Sequence, residues 1–464
     1  MSLWRLGIGA LTDGYRLGEI DPVDVLDETE TRIAAVNPVL NAIVTLDRRG
    51  AAEAARASAA RWRAGRPLGP LDGIPITVKD NIQVRGLRCT WGSRLFANHL
   101  PEADETPVAR LRAGGAVILG KTNAPEFTLQ GYTDNEVFGA TGNPWNPDLT
   151  PGGSSGGAVA AVASGMGVVG IGTDGGGSIR RPAAHTGLYG IKPSPGLVGR
   201  SGSLPAILRD FETMGPVTRS AGDLRATLNV LGGADPDDRA SMMFPPALRM
   251  RGYRCPNAPR ILYLPRFGTA PVDPHVAASV DAAADMLVRL GCRIDGGDVP
   301  FELERINAIW GLIGPIGLAW LMKERDVSQI NPNLHAMVRT GAEASAIELF
   351  DVLTQVDVLR AQLDKTFQSH DFIMTPSVAA LPWPKHDSHP GTIDGMAVGP
   401  RGHAVFTAFA NAGGLPGINI PCAPSPDGRP IGFQLVGPFA DDMRLLDMAE
   451  LFEAAQDAYR WPDL

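Results

Sequence analysis

The chain has 464 residues, 44% of them hydrophobic and 20% charged, which is the balance of a globular enzyme and excludes a disordered or fibrous polymer. A formal net charge of −8 without a dense Lys/Arg run argues against a sequence-independent grip on nucleic-acid phosphates, leaving a small or peptide-like molecule as the expected partner. Four scattered cysteines, Cys89, Cys255, Cys292 and Cys422, have neither metal-ligand nor redox spacing, so reduced thiols in a cytoplasm are expected.

Along the chain, residues 1–10 lack a charged region followed by an apolar core, and no secretory signal is expected. Asp21-Pro22 reads as an N-cap with proline at N1, opening a helix in which Val25, Thr29, Ile33 and Ala34 recur at helical spacing. A second helix is expected over Arg48 to Ala64. Gly73-Ile-Pro-Ile-Thr-Val-Lys79 then reads as a short strand that the Asp80-Asn81 pair turns away. Pro107 to Ala113 has a helical pattern, Ala116 to Leu119 a buried-strand pattern, and Asn143 to Gly153 is a Pro/Asn/Asp/Gly loop. That loop runs into a helical stretch, Ala158 to Ser164, and a strand-like one, Val168 to Thr173.

Helices are also expected over Ala277 to Leu290, Ala344 to Phe367 and Asp441 to Ala455, with further strands within Ala408 to Pro421 and at Ile431 to Val436. Two apolar stretches, Ala158 to Gly172 and Ala308 to Leu321, fall short of the roughly 20 residues a spanning helix needs, so burial and not membrane insertion is expected. Alternating helices and strands imply an α/β sheet protein, in which ligands gather at the C-terminal ends of the strands. Lys79 and the loop Asp174 to Ser178 both follow such ends.

Three segments carry chemistry together: Gly73-Ile-Pro-Ile-Thr-Val-Lys-Asp80, Gly152-Gly-Ser-Ser-Gly-Gly157 and Thr173-Asp-Gly-Gly-Gly-Ser-Ile-Arg180. Their combination resembles the amidase signature family, which uses a Ser-Ser-Lys triad. The resemblance implies a single domain over residues 1–464 with a three-layer α/β/α fold and a large mixed central sheet. A core of about 60–235 plus 396–464 would carry a more variable helical part at about 236–395. It further implies Ser178 as nucleophile, Ser154 as a bridging serine after a cis peptide bond, and Lys79 as base. Backbone N–H groups of Gly175, Gly176, Gly177 and Ser178 would form the oxyanion hole, and Thr128, Gln130, Tyr132 and Ser155 would face the substrate. No metal and no organic cofactor are implied.

The chemistry is coherent without the family. A lysine is protonated at pH 7 unless buried, where desolvation lowers its pKa and frees the amine to accept a proton. Asp174 and Arg180 flank the glycine loop, and a bracing ion pair between them is expected. Trp310, Ile313, Leu318 and Trp320 suggest an apolar acyl pocket or an ordinary buried helix.

Two other motifs fail. Gly152-x-Ser154-x-Gly156 fits a nucleophile elbow, but the prolines of Asn143-Pro-Trp-Asn-Pro147 forbid the central strand that such an elbow requires. Gly170-x-Gly172-x-x-Gly175 lacks the acidic residue that would hold a ribose. His386 and His389 have too little around them for a metal site and read as a surface loop, and His185 reads as a packing residue. The activity implied is a freestanding amidohydrolase that releases ammonia or an amine. The glutaminase component of a tRNA-dependent amidotransferase, needing a second protein as partner, and an inactive binding protein on the same fold are the alternatives. A homodimer is the commonest closed assembly for a soluble chain.

Overall fold

The computed structural model describes residues 2–245 and 258–464, so Cys255 lies outside the described residues. Eleven strands form one sheet. In chain order they are β1 (Ile43–Leu46), β2 (Pro75–Lys79), β3 (Val117–Thr122), β4 (Val169–Asp174), β5 (Tyr189–Lys192), β6 (Thr213–Thr218), β7 (Arg260–Tyr263), β8 (Arg293–Gly296) and β9 (Phe372–Pro376). A separate two-stranded hairpin, β10 (Thr392–Ile393) and β11 (Met396–Ala397), precedes the last two, β12 (Gly417–Cys422) and β13 (Ile431–Val436). The order across the sheet is β1-β3-β2-β4-β6-β5-β12-β13-β9-β7-β8.

The sheet is mixed: β2 runs parallel to both β3 and β4, β7 to β8 and β9, and the other neighbours are antiparallel. Successive residues of β3 enter different cores, Val117 and Leu119 packing with the helices Pro22–Leu40 and Arg48–Arg63 while Ile118 faces the main core with Ile76 and Val78. A strand buried on both faces needs helices on both, which is the three-layer arrangement. Segment 236–395 is not helical alone, since β7, β8 and β9 continue the same sheet.

Local chemistry explains the elements. Asp21 caps the helix Pro22–Leu40 by accepting from the Val23 N–H at 2.9 Å, with proline at N1 where no N–H is needed. The stretch Ala158 to Gly172 splits into the helix Gly156–Ala163 and β4, both buried throughout. Among the described residues one helix, Leu303–Met322, is long and apolar enough to cross a membrane, which corrects the expectation for Ala308 to Leu321. The helix reaches that length because it begins five residues earlier, through the polar turn containing Glu304 and Arg305, and continues through Pro315. It packs against the helices His335–Glu343 and Ala346–Thr366.

For the site, the register of β2 and β4 matters most. Val78 pairs with Ile171 in parallel register, so Lys79 and Asp174 end neighbouring strands at one edge of the sheet. The helix Gly156–Ala163 leaves that edge and β4 returns to it, bringing the loop at Ser154 beside the loop at Ser178. A hydrogen bond of 3.2 Å from the Ser155 N–H to the Ser178 carbonyl ties the two loops together.

Candidate active site

Lys79 is completely buried at the end of an apolar strand. Its Nζ lies 2.8 Å from Ser154 Oγ, 3.0 Å from Thr173 Oγ1 and 3.4 Å from the Thr173 carbonyl. Burial pushes its pKa down to about 7, against the opposing charges of Glu212 and Asp174 and with help from Arg200. A neutral amine has two N–H donors and one lone pair. With both donors spent on Thr173, the lone pair is left for the Ser154 hydroxyl proton. The Asn81 amide also donates to Thr173 Oγ1, at 3.1 Å, and fixes that hydroxyl in place.

The peptide bond between Gly153 and Ser154 is cis. Ser178 is 7% exposed, and among the described residues its hydroxyl has no hydrogen-bond partner, neither Ser154 nor any other. A substrate-free hydroxyl relay can remain open in this way and close when the substrate arrives.

The glycine loop is held from behind. Asp174 forms a bidentate pair with Arg180, Nη2 to Oδ1 at 2.9 Å and Nε to Oδ2 at 3.0 Å, so the expected brace is present. Although burial acts in the opposite direction, the Arg180 charge holds the Asp174 carboxyl well below the usual carboxylate range. Asn411 donates to the same carboxylate at 3.0 Å, and Arg180 continues to Asn411 Oδ1 at 2.6 Å, Gln434 Oε1 at 2.9 Å and the Thr407 carbonyl at 3.2 Å.

Asp174 changes the donor set that the sequence suggested. The Gly177 N–H donates to Asp174 Oδ1 at 2.7 Å and is therefore turned inward. Gly175, Gly176 and Ser178 have N–H groups without an acceptor among the described residues, and only these three can meet an oxyanion. Gly177 itself is required: its φ is +114°, and a Cβ there would run into the Thr407 hydroxyl, which donates to the Gly176 carbonyl at 2.7 Å.

Around this centre, Thr128 lines a cavity of about 260 Å³ together with Asn81, Phe127, Leu208 and Thr213. Tyr132 is buried with its backbone against Gly153, and Gln130 is half-buried with no side-chain hydrogen bond among the described residues. Ser155 does not face a substrate space: it is fully buried and its hydroxyl donates to the Thr173 carbonyl at 3.2 Å, so it serves the loop junction. Of the apolar residues expected at an acyl pocket, Trp310 alone comes to the loop, with its indole nitrogen against Gly176 and its ring 5.3 Å from Phe211. Ile313 and Leu318 are core residues, and Trp320 is more than half exposed. His185 packs on Trp383 and bonds the Ala380 carbonyl at 3.0 Å, and His386 is exposed.

Sequence reasoning missed Thr173 and Asn81, although both stand inside or beside the segments it singled out, next to Asp174 and Asp80. It also missed Glu212 and Arg200, which reach Lys79 electrostatically from distant loops and pair with each other at 2.9 Å. No local spacing announces them.

The family described as Amidase matches residues 24–446. The chain belongs to the amidase signature family. It is 34% identical to a glutamyl-tRNA(Gln) amidotransferase subunit from Roseiflexus castenholzii, over all of this chain and 98% of that protein. Among solved structures, a bacterial aryl acylamidase of the amidase signature family is 28% identical with a TM-score of 0.89, over 97% of this chain and 96% of that one. A 6-aminohexanoate cyclic dimer hydrolase is 26% identical with a TM-score of 0.86, over 100% and 99% of the two chains. This amidase signature chain thus shares the architecture of those two solved structures over nearly its whole length.

Proposed function

We propose that this protein hydrolyses a carboxylic amide through an acyl-enzyme on Ser178, with Lys79 as general base acting through Ser154. The observation that carries the reading is the buried Lys79 amine 2.8 Å from Ser154, on a loop joined to the one that presents an unpartnered Ser178 hydroxyl. As Ser178 Oγ attacks the amide carbonyl, its proton passes to Ser154 Oγ, and the Ser154 proton passes to Lys79 Nζ. The carbonyl oxygen becomes an oxyanion facing the N–H groups of Gly175, Gly176 and Ser178, where each donor is typically worth about 100- to 1000-fold in rate. The relay then runs backwards to protonate the departing nitrogen, which leaves as ammonia or an amine. Water, deprotonated along the same path, releases the acid and restores Ser178.

A second reading is favoured by one observation, the full-length 34% identity to a protein named as part of glutamyl-tRNA(Gln) amidotransferase. In that reading the amide is glutamine and the ammonia passes to a partner protein. It shares every chemical step above and differs in substrate and assembly.

The test is ammonia release from a panel of aliphatic, aromatic and amino-acid amides including glutamine, with wild type and Ser178→Ala, alongside fluorophosphonate labelling. Turnover and labelling that both vanish in Ser178→Ala are expected. Activity surviving in that variant would refute the nucleophile assignment. Preferential turnover of glutamine, with a co-purifying partner protein, would move the conclusion to the second reading.

A further inference from the structure

Lys79 gains a positive charge each time it takes the Ser154 proton, and that charge arises in a buried place where it needs a counter-charge. The two nearest carboxylates in the chain are already matched. Asp174 is committed to Arg180 by two hydrogen bonds, and Asp80 stands 3.5 Å from the buried amine of Lys121. The group around Arg200 is not matched one to one. Its Nε donates to Glu105 Oε2 at 2.7 Å and its Nη1 to Glu212 Oε1 at 2.9 Å, so two carboxylates share a single guanidinium. Among the described residues neither carboxylate has another cation within ion-pair distance. Glu105 is fully buried, and Arg200 and Glu212 are less than one-fifth exposed, so solvent screens the extra negative charge poorly.

The register of the sheet aims Glu212 at the base. Directly opposed residues of antiparallel strands put their side chains on one face, and so do residues two apart along a strand. Thr173 of β4 opposes Met214 of β6, and Glu212 comes two residues before Met214 with an extended backbone, φ −94° and ψ 127°. Glu212 therefore shares a face with Thr173, whose hydroxyl is 3.0 Å from Lys79 Nζ, at a diagonal backbone separation of about 7–8 Å. Two contacts agree with that placement. A Cβ on Gly175 would lie 3.5 Å from Glu212 Cβ, and Glu212 lines one cavity with Asn81, Thr213 and Met214. The other charged side chains on this cavity are Arg200, the exposed neighbours Arg209 and Asp210, and Asp238, which accepts the Arg200 N–H at 3.0 Å and caps the helix Arg239–Met243.

We propose that Glu212 is a positioning residue for the base: as the unmatched carboxylate of the Glu105–Arg200–Glu212 group, it stabilises Lys79 while that amine holds the Ser154 proton. The proposal rests on the reading of Lys79 as general base. The proton stays on Nζ and no bond forms to Glu212, whose charge acts across the shared face. Of the charges that face Lys79, Glu212 acts most strongly, Asp174 acts in the same sense and Arg200 opposes both. Glu105 and then Glu212 hold Arg200 firmly charged although its burial acts the other way.

The test uses the full-length protein and Glu212→Gln, which leaves Arg200 paired with Glu105 and so removes the charge without stranding the guanidinium. Two readouts separate the claims. The pH at which Lys79 titrates is followed by NMR of lysine labelled with carbon-13 at Cε, the Lys79 signal being the one missing from Lys79→Met. The rate at which a fluorophosphonate labels Ser178, measured across pH 5 to 10, reports activation of the nucleophile without any choice of substrate. Losing a negative neighbour makes Lys79 release its proton at lower pH. In Glu212→Gln the Lys79 midpoint and the rising limb of the labelling rate should both move down by about one pH unit, the effect of a unit charge at roughly 8 Å in a partly buried site. The plateau rate should fall about three- to tenfold, because the base is weaker. Glu212→Asp keeps the charge and should hold the midpoint within about half a pH unit of wild type while regaining most of the plateau. A midpoint unmoved in Glu212→Gln, or moved equally in Glu212→Asp, overturns the proposal and leaves Glu212 a packing residue. A midpoint that moves in Glu212→Gln alone, with labelling unchanged at every pH, would keep the charge effect and sink the reading of Lys79 as base.

Discussion

Replacing Lys79 with methionine tests whether the fold stores a neutral amine, because it separates activity from stability. The Lys79 pKa falls from 10.5 to about 7 on burial. Between those two values the unfolded chain carries a proton on Lys79 that the folded chain lacks, so stability rises with pH across that window. Below about 7 both states carry the proton, and the penalty for burying the amine is at its constant maximum. At about 1.4 kcal/mol per pH unit, that maximum is on the order of 5 kcal/mol and has shrunk to about 1 kcal/mol by pH 10. Lys79→Met removes the penalty but forfeits the bonds to Ser154 and Thr173, at about 1 kcal/mol each.

The variant should therefore be more stable than wild type at pH 6 and lose about 4 kcal/mol of that advantage by pH 10. Urea unfolding of both proteins at pH 6, 8 and 10 gives the double difference, in which the other titrating groups cancel. Amide turnover should drop by at least about 1000-fold, since at pH 7 roughly half of wild-type Lys79 is neutral and no other group replaces it. The wild-type kcat/KM should climb with pH to a plateau just above 7. A stability difference that does not change with pH, or a rate still climbing near pH 10, would show that Lys79 is an ordinary charged lysine and refute the base assignment.

Ser178→Ala should abolish turnover and fluorophosphonate labelling while leaving the unfolding midpoint unchanged within error, because the hydroxyl has no partner to lose; intact-mass analysis and a melt check both. Arg180→Met should destabilise by about 3–5 kcal/mol, since it strands the Asp174 carboxylate in the interior, and denaturant titration measures it. Gly177→Ala should reduce kcat by about 100-fold or more and also destabilise by about 1–3 kcal/mol, as the strained φ and relief of the Thr407 contact tilt the neighbouring N–H groups away from the oxyanion; a loss in kcat under ten-fold would contradict the loop geometry. Thr173→Val removes the hydroxyl shared by Lys79 and Asn81 and should lower kcat more than it raises KM, because that hydroxyl orients the base without facing the substrate.

Strand and helix positions near the site were legible because each carries a local signal. The apolar, β-branched run before Lys79 permits little except a buried strand, and the Asp21-Pro22 pair marks a helix start with both a cap and a ring that needs no N–H. The placement of β7, β8 and β9 was not legible, since sheet order is set by pairing between segments distant in the chain, Arg260 with Arg293, Ile261 with Phe372 and Pro376 with Phe433. The helix at Leu303–Met322 was underestimated because only its apolar stretch from Ala308 to Leu321 was counted, whereas charges such as Glu304 and Arg305 at the start of a helix do not end it.

The division of labour within Thr173 to Arg181 was legible only as composition. Three glycines before a serine suggest four converging N–H groups, but an adjacent carboxylate that must be satisfied takes one of them, and Asp174 takes that of Gly177 because the backbone there turns through a positive φ. The two arginines that follow are indistinguishable as letters. Arg180 points toward Asp174 and the β13 glutamine, where every donor is met, whereas Arg181 is carried about 100° further round the turn and finds only a carbonyl at 3.4 Å. The first arginine therefore holds the loop rigid, and the second brings an unspent charge to its edge.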